Sequence, residues 1–243
     1  MIELERPREA GALLRDSLNV YLKHFWTFLA LGALVVIPAE VIVSGVGLGE
    51  LTAKYDNSPA FAEAAIPAVV SYLVVAPLIT AICVYALQSV AAGGSPGARE
   101  AIVKGFEQFS PIFFAVLLAA LGILVGAIVI VPGVYFFVRW YFVPQTVVLE
   151  GAHGPAALRG SSRLVEGFWW RTLGLIVLVN VVALVFAVIL GAPFTAGADR
   201  ADKAVWALIG EIVASSVVQP FGALYSTLLY FDLRARTRAG AAG

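Results

Sequence analysis

The chain has 243 residues, of which 60% are hydrophobic and only 13% charged, and its mean hydropathy is +0.91. Soluble domains carry roughly 45–50% apolar and about 25% charged residues, so this composition excludes an ordinary soluble enzyme and points to a chain solvated by lipid. Sixteen basic residues balance sixteen acidic ones, which removes the basic excess of a nucleic-acid binder, and the single Cys83 excludes an intrachain disulfide or a cysteine-built metal site.

From Met1 to Lys23 the chain mixes Glu3, Glu5, Glu9 and Asp16 with Arg6, Arg8 and Arg15. That is unlike the short basic head of a secretory signal, so the first apolar segment is expected to be retained. A helix needs about twenty apolar residues to cross a bilayer core. Six segments qualify: Phe25 to Val46, Ile66 to Val90, Pro111 to Val131, Gly133 to Leu149, Trp170 to Leu190 and Ala204 to Tyr230. The third and fourth are separated only by Pro132 and Gly133, a turn signal that predicts a tight hairpin and a short fourth span. Gly93-Gly94-Ser95-Pro96-Gly97 reads as a flexible turn with Ser95 or Pro96 opening the next helix. The expected fold is therefore an all-α polytopic membrane bundle of about six transmembrane helices, forming one domain over 1–243.

Basic residues concentrate on the cytoplasmic side of membrane spans. Arg6, Arg8, Arg15, Lys23, Arg99, Lys104, Arg159, Arg163, Arg171, Arg234, Arg236 and Arg238 fall on the side shared by both termini, against Lys54, Arg200 and Lys203 opposite. Both termini are thus expected in the cytosol, in a multi-pass protein whose partner is the bilayer.

A weak repeat of three units, about 8–90, 98–150 and 156–235, gives the same layout. Each opens with a short amphipathic helix expected at the membrane interface, and in each an arginine precedes an aromatic by ten positions: Arg15 and Phe25, Arg99 and Phe109, Arg159 and Trp169. In the first helix Leu14, Leu18, Tyr21, Leu22 and Phe25 share one face. Arg15, Arg99, Arg159 and Arg163 are candidates for facing anionic lipid headgroups; simple anchoring is the alternative.

The run from Arg139-Trp140 through Pro144, Glu150-Gly151, Ala157-Leu158-Arg159-Gly160-Ser161, Leu164 and Gly167-Phe168-Trp169, with LLYFDLRAR from Leu228 to Arg236, resembles the membrane domain of glycerophosphoryl diester phosphodiesterases and its stand-alone relatives. The resemblance covers roughly the second half and implies a multi-helix bundle of the bacterial plasma membrane. The phosphodiesterase reaction in that family belongs to a separate barrel of about 250 residues, for which this chain has no room.

Chemistry-bearing motifs are sparse. His24 and His153 have no acidic or cysteine partners at metal-ligand spacing, and Ser161 and Ser162 lie outside a nucleophile elbow, so no catalytic centre, metal or cofactor is expected. Charges inside spans are costly in lipid and face a partner or a cavity. Glu40, Arg139 and Glu211 sit at similar depth along the first, fourth and sixth spans, which suggests Arg139 between two carboxylates: a proton- or substrate-linked site, or a structural ion pair. Pro38, Pro77, Pro144 and Pro220 interrupt spans and can kink them. Two functions follow as expectations: a membrane scaffold or lipid-interacting module, or a small transporter or permease-like subunit using those charges.

Overall fold

The structure is a computed structural model describing residues 4, 6–45, 68–94, 97–198 and 203–241. Its helices are α1 (Ala10–Lys23), α2 (Phe25–Gly45), α3 (Ala68–Ala91), α4 (Ala98–Glu107), α5 (Phe109–Ala127), α6 (Val131–Arg139), α7 (Val143–Glu150), α8 (Pro155–Val165), α9 (Trp169–Ala198) and α10 (Lys203–Ala241). The described residues contain no strand, so the all-α bundle stands. Lys54, Ser95, Pro96, Asp199, Arg200 and Asp202 lie outside the described residues.

Among the described residues five helices, α2, α3, α5, α9 and α10, are long and apolar enough to cross a bilayer. Their outward faces carry large apolar side chains in rows, such as Leu121, Leu124 and Val125 on α5 and Val181, Leu184, Val188 and Ile189 on α9, all exposed. Apolar patches of this extent need lipid rather than water. The chain is a membrane protein.

The fourth expected span, Gly133 to Leu149, is not one helix but two short ones, α6 and α7. The pair runs back along α5 over its whole length. A Cβ on Gly126 would sit 3.1 Å from the Gly133 nitrogen, one on Gly122 would meet the Trp140 ring at 2.5 Å, and Val143 and Val147 share a core with Ile112, Val116 and Ala119. The turn that reverses the chain lies earlier than Pro132-Gly133: Ile130 takes it at φ 31°, and Pro132 falls in the first turn of α6, where its missing N–H costs no helical hydrogen bond.

The break between α6 and α7 follows from Pro144. Without an N–H it cannot bond the Trp140 carbonyl, which accepts instead from Val143 N–H at 3.2 Å. That leaves the Arg139 carbonyl and the Phe142 N–H unpaired, and Ser161 on α8 serves both: its hydroxyl donates to the Arg139 carbonyl at 2.7 Å and accepts from Phe142 N–H at 3.2 Å. Gly160 lets α8 come this close, since a Cβ there would lie 2.5 Å from Thr146 Cγ2. A second irregularity, the π-turn Ser71–Val75 in α3, directly precedes Pro77 and absorbs the hydrogen bond that this proline cannot make.

The core is built around α10. Leu224, Tyr225, Leu228 and Tyr230 are fully buried against Phe28, Leu31, Ile79 and Ile82. Gly32 allows α2 to close on α10, because a Cβ would fall 2.5 Å from both the Ser216 oxygen and Pro220 Cγ. The three amphipathic helices pack one face each against this bundle. For α1 that face is Leu13, Ser17, Val20 and Tyr21, rotated from the expected one, so Leu22 points outward. For α4 it is Ala101 and Gly105 against Ile82, and for α8 Ala157, Gly160, Ser161, Leu164 and Val165. The α1 region spans from the Arg8 N–H bond to Asp232 to the Tyr21 hydroxyl bond to the Val217 carbonyl. These anchors are fifteen residues apart on α10, about 22 Å, so α1 runs alongside that helix.

Candidate functional site

The three intramembrane charges do not form one cluster. Glu40 on α2 and Glu211 on α10 lie close enough for their charges to interact, Glu40 half-buried and Glu211 exposed. Arg139, at the end of α6, is engaged elsewhere: its guanidinium donates to the Tyr135 hydroxyl and sits 5.4 Å above that ring. The expected position of Arg139 between the two carboxylates is therefore corrected. Depth counting assumed a straight fourth helix free to face α2 and α10, whereas the Gly126–Gly133 contact binds α6 to α5, and Trp169 stacks on Tyr135 from α9. Arg15, Arg99, Arg159 and Arg163 are all exposed on the outward faces of α1, α4 and α8. Among the described residues no three His, Cys, Asp or Glu side chains converge as a metal site would require.

A charge network that sequence reasoning quoted but gave no role lies where the termini meet. Asp232, fully buried, accepts from the Arg8 N–H, from Arg171 at 3.2 Å and from Arg236 at 3.1 Å. Both arginines also donate to the Arg8 carbonyl, and the Arg8 side chain pairs with Asp16 at 3.0 Å. Close by, the Tyr230 hydroxyl donates to the Glu150 carboxylate at the end of α7. A buried carboxylate persists only when paired and hydrogen-bonded. Here it clamps the start of the chain, α9 and α10 together, which is a structural role.

The feature able to hold a ligand is a cavity of about 560 Å³ between α3, α5, the α6–α7 break, α9 and α10. Both backbone irregularities border it, through Ser71 and Tyr72 of the π-turn and Trp140, Tyr141 and Pro144 of the break. Its α5, α9 and α10 residues, Val116 and Ala119, Val179 to Ala183, and Val218 to Ser226, lie near the middle of their apolar stretches. The cavity is thus at mid-membrane depth. Tyr72 and Asn180, both exposed, mark its rim on the outer surface of the bundle.

Its wall is largely apolar, and the polar residues set in it are uncharged: Ser71, Tyr72, Thr80, Tyr141, Gln145, Asn180, Gln219 and Ser226. The Gln145 amide donates to Ser226 Oγ at 2.9 Å, and its Oε1 is buried without a partner. The Ser226 hydroxyl donates to the Ala223 carbonyl at 2.9 Å, so it can only accept from Gln145, and this fixes the amide with oxygen toward the free side. Gln219 points its amide at Ser71 Oγ, at 3.4 Å, and its Oε1 is buried without a partner. Each such oxygen costs about 1–3 kcal/mol unless something donates to it. Charge alone does not point to these residues. The signal in the sequence is a single amide in each of three spans, Gln145, Asn180 and Gln219, two of which also carry an internal charge, Arg139 and Glu211.

A protein family described as Domain of unknown function (DUF7847) matches residues 60–233, which include every cavity-lining residue and Asp232 but not α1 or α2. No curated protein and no solved structure matches the chain.

Proposed function

The chain belongs to the DUF7847 family, and we propose that it is a non-catalytic, lipid-interacting module of the bacterial plasma membrane that holds the polar part of an amphiphile within its spans. The observation that carries this reading is the mid-span cavity, where two buried amide oxygens await a donor in surroundings that water reaches poorly. Largely preformed pockets of 300–1,000 Å³ with a few placed polar groups are the usual form of a small-molecule site. The exposed Arg15, Arg99, Arg159 and Arg163 support the same reading from the surface, as contacts for anionic headgroups. The excess of basic residues on the side shared by both termini supports a cytosolic position for them in this reading. Resemblance to the phosphodiesterase membrane domain agrees with a part that carries no chemistry of its own.

The test is native mass spectrometry of the detergent-extracted protein. A lipid-sized adduct is expected on the unmodified chain and not on Ala183→Phe, which fills the cavity from its half-buried wall. Identical adduct patterns for the two would overturn the proposal.

A second reading, a small transporter, draws on the two irregular segments beside the cavity, because broken helices at mid-membrane depth are a recurrent feature of transport sites. Glu40, Arg139 and Glu211 do not support it as a coupled trio, since Arg139 is held by Tyr135. Flux of a neutral amphiphile across reconstituted vesicles, lost in Ala183→Phe, would favour it over simple binding.

A further inference from the structure

We infer that the occupant of the cavity is a neutral amphiphile whose hydroxyl or amide hydrogens donate to Gln145 Oε1 and Gln219 Oε1, with its hydrocarbon leaving between Tyr72 and Asn180. The inference rests on the lipid-interacting reading and narrows it to one chemistry.

Charge and hydrogen-bond polarity together decide the class. Three donors of the wall are engaged by carbonyls of their own helices: Thr80 with Ala76 at 2.7 Å, Asn180 with Ile176 at 2.8 Å and Ser226 with Ala223 at 2.9 Å. The two glutamine amides are engaged by serine oxygens, and their buried acceptors remain unpaired. A ligand that brings donors satisfies them, while the hydroxyls of Tyr72 and Tyr141 on the same wall can donate or accept. Phosphate and carboxylate groups bring acceptors and a charge, and no lysine or arginine lines the cavity to receive them. A cation would bring donors, but no carboxylate lines the cavity either, and an unpaired charge at mid-membrane depth is strongly disfavoured. An uncharged head with two or more hydroxyl or amide hydrogens satisfies the wall without either penalty.

Position decides the source. The rim residue Asn180 lies in the middle of the most hydrophobic span, Trp169–Phe194, and is nevertheless exposed. A mouth at that depth faces acyl chains rather than water, so the ligand arrives from the bilayer with a tail that can stay in it.

The cavity supplies its own reporter, because Trp140 lines it. A full-length variant keeping Trp140, with Trp26, Trp169, Trp170 and Trp206 replaced by phenylalanine, is placed in phosphatidylcholine nanodiscs, a host whose headgroup has no hydrogen-bond donor. A brominated-acyl ceramide, whose uncharged head carries two hydroxyls and an amide N–H, is titrated as quencher, with brominated-acyl phosphatidic acid and free glycerol, the latter as competitor, in parallel. The expected result is saturable quenching of Trp140 by the ceramide at a concentration at least tenfold lower than for phosphatidic acid, with no competition by glycerol. Gln145→Leu with Gln219→Leu removes that preference, and Gln219→Leu alone, at a half-buried position, weakens it with less demand on folding. Tighter quenching by phosphatidic acid that Ala183→Phe abolishes would overturn the neutral-ligand inference and leave the lipid-interacting reading intact. Effective competition by glycerol would overturn the bilayer source. Quenching by neither lipid above the nanodisc background would overturn both the inference and the reading it rests on.

Discussion

Asp232 and Gly133 are the single residues on which most depends. Removing Asp232 leaves Arg171 and Arg236, whose side chains are 28% and 26% exposed, without their buried partner; breaking a fully buried pair costs about 3–5 kcal/mol, and the access of both arginines to solvent puts this loss toward the lower end. Asp232→Ala is accordingly expected to lower the unfolding midpoint of the detergent-solubilised protein substantially, and an unchanged midpoint would show that the clamp contributes nothing. Gly133→Ala meets backbone rather than a side chain, since its Cβ would lie 2.7 Å from Ala127 Cα and 2.9 Å from Ala127 N. Neither atom can rotate away, so a loss of about 1–3 kcal/mol is expected by the same measurement, as for other overpacked sites. Gly11→Ala, with open space around its position, should be neutral and serves as the control. Neither Asp232 nor Gly133 stood out as a site in the sequence. The LLYFDLRAR run was noticed as a resemblance, but the partners that explain its aspartate are 61 and 224 residues away, beyond anything periodicity reports.

The placement of five spans was legible because span length and hydrophobicity are local properties, and the starts of α2, α5, α9 and α10 fall within a few residues of the apolar runs. The interruption of the fourth span was not. Pro144 announced a weakness there, but whether a proline bends a helix or divides it depends on what satisfies the freed backbone groups. That partner, Ser161, is on another helix. Ser161→Ala is therefore expected to loosen the junction: amide exchange at Phe142 should accelerate markedly while exchange along α9 stays as before. Equal rates in both proteins would mean that the break is held by packing alone. The charge trio failed for a related reason. Positions along a span give depth but not azimuth, and azimuth is what the glycine contacts between α5 and α6 set.

Considered whole, the molecule carries its first and last described segments at one end of the bundle, joined by Asp232, so the number of crossings is even only if α6 and α7 together complete a passage. α6 has nine residues and α7 eight, about 26 Å of helix at 1.5 Å per residue, and the break between them brings the pair close to the roughly 30 Å of a hydrocarbon core. Fusing a fluorescent protein that matures only in the cytosol to either terminus should give signal from both, and the same reporter inserted in the segment after Gly45 should stay dark. Light from one terminus only would remove a crossing from the scheme. The cavity also belongs to this scale, being walled by helices from the whole length of the family match, with no single element containing it.

The Arg8–Asp232 contact bears on biogenesis. The residue that fixes the N-terminal anchor of α1 is made 224 positions after Arg8. Throughout that interval α1 must wait without its final partner, and insertion of α10 is the event that seals it. A stop codon at Phe231 should therefore leave the residues around Arg8 open to protease in an otherwise inserted chain.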